Sequence, residues 1–162
     1  MATAADIRIV AAATPAQFDA ARSLILEYAD WLGVNLDFQD HETEIADIAR
    51  VYGRPMGRLN LALVDGEAVG CMAVHPLSAP GEGELKRLYV RPAFRGLGLG
   101  RTLFDRTVAG AREIGYKLVR FDTWPERMPE AQGMYRRLGC VETPPYYDNP
   151  VEGVIFLKLD LD

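Results

Sequence analysis

The period of the apolar positions changes several times along the chain, and each change marks a predicted element. A short strand is predicted over 6–11. Thr14-Pro15-Ala16-Gln17 then has the form of a capping box with proline at the first helical position. The helix it starts sets Phe18, Ala21, Ile25, Tyr28 and Leu32 on one face, at spacings of three and four. A second helix is predicted over 41–52, with Ile45, Ile48 and Tyr52 inward and the acidic residues outward. Between the two lies 31–38, a loop rich in large apolar groups. Stretches 59–65 and 67–77 read as strands joined around Asp65-Gly66, a hairpin signal. A strand over 84–90, a loop over 91–98 and a helix over 99–114 ending at Gly115 follow. Then come a strand over 118–123, a helix over 130–138, and final strands over 141–146 and 154–161. Alternation of this kind defines a mixed α/β class.

Composition narrows the picture. With 162 residues, 49% hydrophobic and 25% charged, one globular domain over 1–162 is expected. No apolar run approaches the ~20 residues that span a bilayer. The first six residues lack the basic flank and apolar stretch of a signal peptide, so a cytoplasmic location and no membrane partner are expected. A pI near 5.1 argues against general nucleic-acid binding. The net charge of −5 is unevenly divided. Residues 1–83 carry 5 basic and 12 acidic side chains, residues 84–140 carry 12 and 6, and residues 141–162 carry 1 and 5. A basic block between acidic flanks suggests a local anionic partner. Cys71 and Cys140 have no metal-ligand spacing, and His41 and His75 form no ligand set, so no metal is expected.

The sharpest motif is Val90-Arg91-Pro92-Ala93-Phe94-Arg95-Gly96-Leu97-Gly98-Leu99-Gly100-Arg101, where a strand enters a glycine-rich turn and then a helix. Glycines let a ligand approach the backbone, and a helix N-terminus presents free N–H groups and partial positive charge. The segment fails the Walker A pattern, with Arg95 where the first glycine belongs and Arg101 for the lysine. It fails the dinucleotide fingerprint as well, with Arg101 at the last position. Arg-x-x-Gly-x-Gly is satisfied fully by Arg95 to Gly100.

On these residues the chain resembles the GNAT superfamily of acyl-CoA-dependent N-acyltransferases. Leu88-Tyr89-Val90-Arg91-Pro92 is similar to the family's central strand and its exit, Arg95 to Gly100 to its pyrophosphate loop, and Met134-Tyr135-Arg136-Arg137-Leu138-Gly139 to its late helix. The order of elements fits from residue 6 to residue 161. The resemblance implies a GNAT-like fold, a central twisted and mostly antiparallel sheet of about six to seven strands flanked by about four helices. It implies acetyl-CoA as cosubstrate, direct transfer of its acetyl group to a primary amine of a small molecule or peptide, and homodimerisation as a common state.

The resemblance also implies roles. Leu88, Tyr89 and Val90 would pair with the pantetheine arm, and Arg95, Gly96, Leu97, Gly98, Leu99, Gly100 and Arg101 would hold the pyrophosphate. Tyr135 would protonate or orient the departing thiolate. Glu84 is the candidate base that deprotonates the amine; the alternative is a salt-bridged strand-end carboxylate. Glu84 shares parity with Lys86, Leu88 and Val90, unless a bulge intervenes. Trp31 and Asn35 on one side, and Tyr146, Tyr147 and Asn149 on the other, are the candidate acceptor-binding residues. Two departures stand out: Met128 occupies the position of a cofactor-contacting asparagine, and Cys140 that of an aromatic residue. The acidic flanks fall on the expected acceptor side, which favours a cationic amine. Two other readings stay open, a catalytically silent acyl-CoA-binding sensor or protein-interaction module, and a toxin acting on charged tRNA. The negative total charge disfavours the toxin.

Overall fold

A computed structural model describes residues 3–36 and 40–161. The chain forms β1 (Ile7–Ala11), α1 (Pro15–Leu32), α2 (His41–Ala46), α3 (Ile48–Tyr52), β2 (Arg58–Val64), β3 (Glu67–Pro76) and β4 (Glu82–Val90). A 3-10 turn at Pro92–Phe94 leads to α4 (Leu99–Ile114), β5 (Leu118–Thr123), α5 (Pro129–Arg137), β6 (Val141–Thr143) and β7 (Ile155–Asp160). The seven strands make one sheet in the order β1-β2-β3-β4-β5-β7-β6. Every neighbouring pair is antiparallel except β4 and β5. The expected mostly antiparallel sheet is therefore what forms.

Helix α1 starts as its sequence dictates. Gln17 N donates to Thr14 Oγ1 at 3.2 Å, and Thr14 N donates to Gln17 Oε1 at 3.1 Å, so each end satisfies the other's orphan group. Its apolar stripe, Phe18, Ala21, Leu24, Ile25, Tyr28 and Leu32, packs with Leu59, Leu61, Cys71, Ala73 and Tyr89 on one face of the sheet. On the other face α4 lays Leu99, Leu103, Phe104 and Val108 against Met72, Val74, Leu85 and Val119. Sandwiching between two helical layers explains why β2 and β3 read as nearly continuous apolar runs.

The predicted helix over 41–52 is two short helices broken at Asp47, whose φ of −130° leaves the helical region. Its acidic residues do not all face outward: Glu44 is 4% exposed. Glu44 accepts from Arg87 Nε at 2.8 Å and from Arg87 Nη2 at 2.7 Å, and the Tyr52 hydroxyl also donates to it. His41 Nδ1 lies 3.0 Å away. Arg87 itself is 6% exposed, and its φ of +64° places a non-glycine residue in the left-handed region, at a cost of about 1–2 kcal/mol. It marks a bulge in β4. Cys71 pairs with Tyr89 while Ala73 pairs with Lys86, so β4 spends one extra residue there. Beyond the bulge Val90 joins the α4 side with Leu85, and Tyr89 joins the α1 side. The parity linking Glu84 and Lys86 to Leu88 and Val90 is thus broken.

Burial alone would raise the pKa of Glu44; the Arg87 guanidinium outweighs it and holds the carboxyl at about 2, below its ordinary 4.5. In that interval the unfolded chain binds the extra proton, so this pair's stabilisation is complete above about pH 4.5 and is lost as pH falls towards about 2. Glu44→Gln leaves Arg87 buried without its counter-charge and is expected to destabilise the fold by about 3–5 kcal/mol. Urea denaturation of the two proteins at neutral pH checks this; a loss below about 1 kcal/mol would refute the structural role.

Candidate active site

Strands β4 and β5 pair only at Glu82↔Leu118, Gly83↔Val119 and Glu84↔Arg120. Both strands run on, to Val90 and Thr123, without pairing to each other, while β4 stays paired to β3 and β5 to β7. The separation starts before the bulge at Arg87 and leaves backbone groups of both strands available in the middle of the sheet. Two cavities occupy this opening.

The outer one is a cleft of about 760 Å³ between the C-terminal end of β4, the glycine loop and α5. Tyr89, Val90, Arg95, Gly96, Gly98, Gly100 and Arg101 line it, with Arg127, Met134 and Arg137 opposite. Gly98 caps α4 with a φ of +75°, no side chain bonds the helix end, and no acidic residue lies in the first turn. The first N–H groups of this 16-residue helix therefore meet no internal partner, and they belong to the same loop as two arginines. Of the predicted loop residues, Leu97 is not part of the wall and stays 52% exposed. Arg127 and Arg137 are not among the residues predicted to hold the pyrophosphate; their place on α5 and the loop before it brings them to the cleft.

Trp31 also lines this outer cleft. The Arg95 and Arg127 guanidinium carbons lie 5.1 and 4.8 Å from its ring centroid. Arg127 also donates to the Trp31 carbonyl, and the ring sits beside Tyr28 and Tyr89. Asn35 is exposed and lines neither cavity.

The inner cavity, about 60 Å³, lies deeper between α1 and the sheet. Its wall is mixed: Tyr28, Leu32, Leu36, Met72 and Trp124 supply apolar surface, and Lys86, Arg87, Asp122 and Asn149 supply polar groups. Leu88, Met128 and Tyr135 belong to both walls, so the two cavities meet there. Tyr135 is 5% exposed, packed against Phe104 and Phe121 at centroid distances of 5.7 and 4.8 Å. Burial pushes its pKa well above the usual phenol value, so the hydroxyl keeps its proton at neutral pH.

Glu84 is buried beside this chamber without lining it. His75 Nε2 is 2.7 Å from Oε1, Tyr146 donates to Oε2, and Lys86 Nζ lies 4.0 Å away. Burial works against the charge, but these partners outweigh it and lower the pKa. Tyr146 thus reaches Glu84 and not the chamber wall. Tyr147 donates to Asp122 Oδ2, as does Asn149 Nδ2 at 3.0 Å. The segment between β6 and β7 therefore delivers one tyrosine to each of two carboxylates, and Tyr146, Tyr147 and Phe156 stack edge-on around them.

The charge partition has a second origin. Glu27 and Glu67 pair with Arg91 at 2.7 and 3.0 Å, Glu44 with Arg87, and Glu82 with Arg120 at 3.1 Å. Acids of the first flank thus neutralise cations of the central block. Among the described residues no group of three or more His, Cys, Asp or Glu could hold a metal ion, and no helix is long and apolar enough to cross a membrane.

These features coincide with a known family. The acetyltransferase (GNAT) family model matches residues 21–140, and the chain belongs to that family. A Schizosaccharomyces pombe protein described as an uncharacterised N-acetyltransferase is 38% identical over 157 residues, 96% of either chain. The IAA acetyltransferase of Azospirillum brasilense is 30% identical over 137 residues, covering 85% of this chain and 86% of its own. A GNAT-family acetyltransferase of Staphylococcus aureus superposes with a TM-score of 0.79 at 19% identity, over 97% of this chain and all of the other. YncA of Salmonella typhimurium, solved with its cofactor acetyl-CoA, superposes with a TM-score of 0.66 at 22% identity, over 96% and 94%.

Proposed function

We propose that the protein moves the acetyl group of acetyl-CoA directly onto a primary amine of a small molecule or peptide. The observation that carries this reading is the junction of the two cavities at Tyr135. On one side is a cleft with the volume and cations for a long polyanionic thioester. On the other is a small chamber whose wall pairs apolar side chains with the polar groups of Lys86, Asp122 and Asn149, which can receive an amine. Family membership and YncA's own acetyl-CoA support the donor.

The chain's residues fit that donor. The N–H groups at the start of α4, with Arg95 and Arg101, would hold the pyrophosphate, while Arg127 and Arg137 face it across the cleft. The unpaired edge of Leu88, Tyr89 and Val90 would bond the pantetheine amides as a missing strand does. Trp31, lying between Arg95 and Arg127, would cover the donor and not the acceptor. When bound, the thioester supplies an activated acetyl group with a thiolate as leaving group, a fair one at a reference pKa of about 8.5. Tyr135, protonated at neutral pH, donates a hydrogen bond to the sulfur as it departs. Met128, in place of an amide side chain, puts a thioether at this junction.

On the acceptor side, Asp122 and Asn149 are the polar groups opposite Lys86 and Arg87. Preference for a cationic amine then rests on one wall carboxylate, since Glu27, Glu44 and Glu82 of the acidic flank are paired.

Free-thiol release from acetyl-CoA across amines, amino acids and peptides is the direct test. Binding without release for every amine would favour a silent sensor. Gly98→Asp puts a carboxylate at a left-handed position on the anion site, and is expected to weaken acetyl-CoA affinity at least tenfold by calorimetry. An unchanged affinity would remove the loop from the donor site. Tyr135→Phe is expected to lower kcat about 10- to 100-fold with acetyl-CoA affinity within twofold. Equal turnover would take Tyr135 out of the mechanism.

A further inference from the structure

We infer that Asp122, and not Glu84, is the side chain that takes the proton from the acceptor amine. This rests on the acetyltransferase reading above. A base must reach the proton it removes, through a hydrogen bond or one water. Asp122 is part of the wall of the inner chamber, which meets the donor cleft at Tyr135. Glu84 is not part of that wall.

The two carboxylates are close enough to feel each other's charge, and their surroundings push them in opposite directions. Asp122 is raised above the ordinary aspartate value, first by burial and then by Glu84, against the opposing pull of Asn149, Lys86 and Arg87. Glu84 is lowered. Such a split is how one site obtains a fixed anion and an adjustable base from two similar groups. The groups that face Asp122 come from every side: Glu84, Lys86 and Arg87 from β4, Tyr28 from α1, Tyr135 from α5, and Tyr146, Tyr147 and Asn149 from the segment before β7. Glu84 then acts as a positioning anion. Its charge helps to hold Lys86 protonated and to raise Asp122.

The step balances as follows. Asp122 takes one proton from the ammonium and passes it to water. The freed electron pair forms the N–C bond to the acetyl carbon, and the C–S bond breaks with its pair on sulfur. Tyr135 gives its proton to the sulfur and regains the one still leaving the nitrogen. The products are the N-acetyl amine, free thiol and one proton in solution.

The test is the pH dependence of thiol release from acetyl-CoA, with the amine panel, for the full chain and four variants: Asp122→Asn, Tyr147→Phe, Tyr146→Phe and Glu84→Gln. Asp122→Asn is expected to lower kcat about 100-fold at neutral pH, to abolish the acidic limb of the profile, and to keep acetyl-CoA affinity within twofold. Tyr147→Phe removes a donor from the charged carboxylate, so the acidic limb should move to higher pH. This second variant decides the matter if Asp122→Asn does not fold. Asp122→Asn within about threefold of the parent at every pH would overturn the inference. So would an acidic limb that moves with Tyr146→Phe or vanishes in Glu84→Gln while ignoring Tyr147→Phe, which would return the role to Glu84. A parent protein that releases no thiol with any amine would overturn the acetyltransferase reading itself, and this inference with it.

Discussion

The buried pair between Arg87 and Glu44 is the interaction on which the site depends. A non-glycine residue with φ of +64° in the middle of a central strand is unfavourable by itself. Two hydrogen bonds from its guanidinium to one carboxylate hold it there. Without that partner, the buried cation and the strained backbone would both favour a regular strand. The bulge reverses the faces of β4 between Lys86 and Tyr89. Because of that reversal Leu88 lies at the junction of the two cavities, Tyr89 and Val90 line the outer one, and Lys86 keeps its side chain on the inner one.

The opening between β4 and β5 then organises everything else. Two parallel strands that stop pairing after three residues leave a gap that each helical layer lines from its own side. From one layer come the N-terminus of α4, with its unpaired N–H groups, and the buried Tyr135 hydroxyl of α5. From the other come Tyr28 and Trp31 of α1. Both cavities thus take residues from both helical layers, and they meet where no strand intervenes. That geometry follows from sheet topology more than from any single motif.

Electrostatically, the molecule divides its charges between two tasks. Arg87, Arg91 and Arg120 are paired with acids of the first flank. Arg95, Arg127 and Arg137 face the cleft. The basic block of the sequence is a mixture of the two sets, and neither its total nor its position along the chain separates them. Only the location of each carboxylate does so.

Much of the fold was legible in the sequence. The capping box, the stripe of α1, the hairpin at Asp65-Gly66, and the strand, glycine loop and helix around Arg95 to Gly100 are local patterns, set by neighbouring residues. The position of Glu44 was partly legible too, since it falls four and eight residues before the inward Ile48 and Tyr52, although a charge at an inward position reads as a contradiction until its partner is known. Asp122 alternates with the buried Val119, Phe121 and Thr123, so its side of β5 could be read, but not what it would meet. The bulge at Arg87, the place of Trp31 in the outer cleft, the two tyrosines on two carboxylates and the shared wall at Tyr135 were decided by tertiary structure alone. Each depends on groups far apart in the chain, and periodicity along a sequence carries no information about which distant partner a side chain will face.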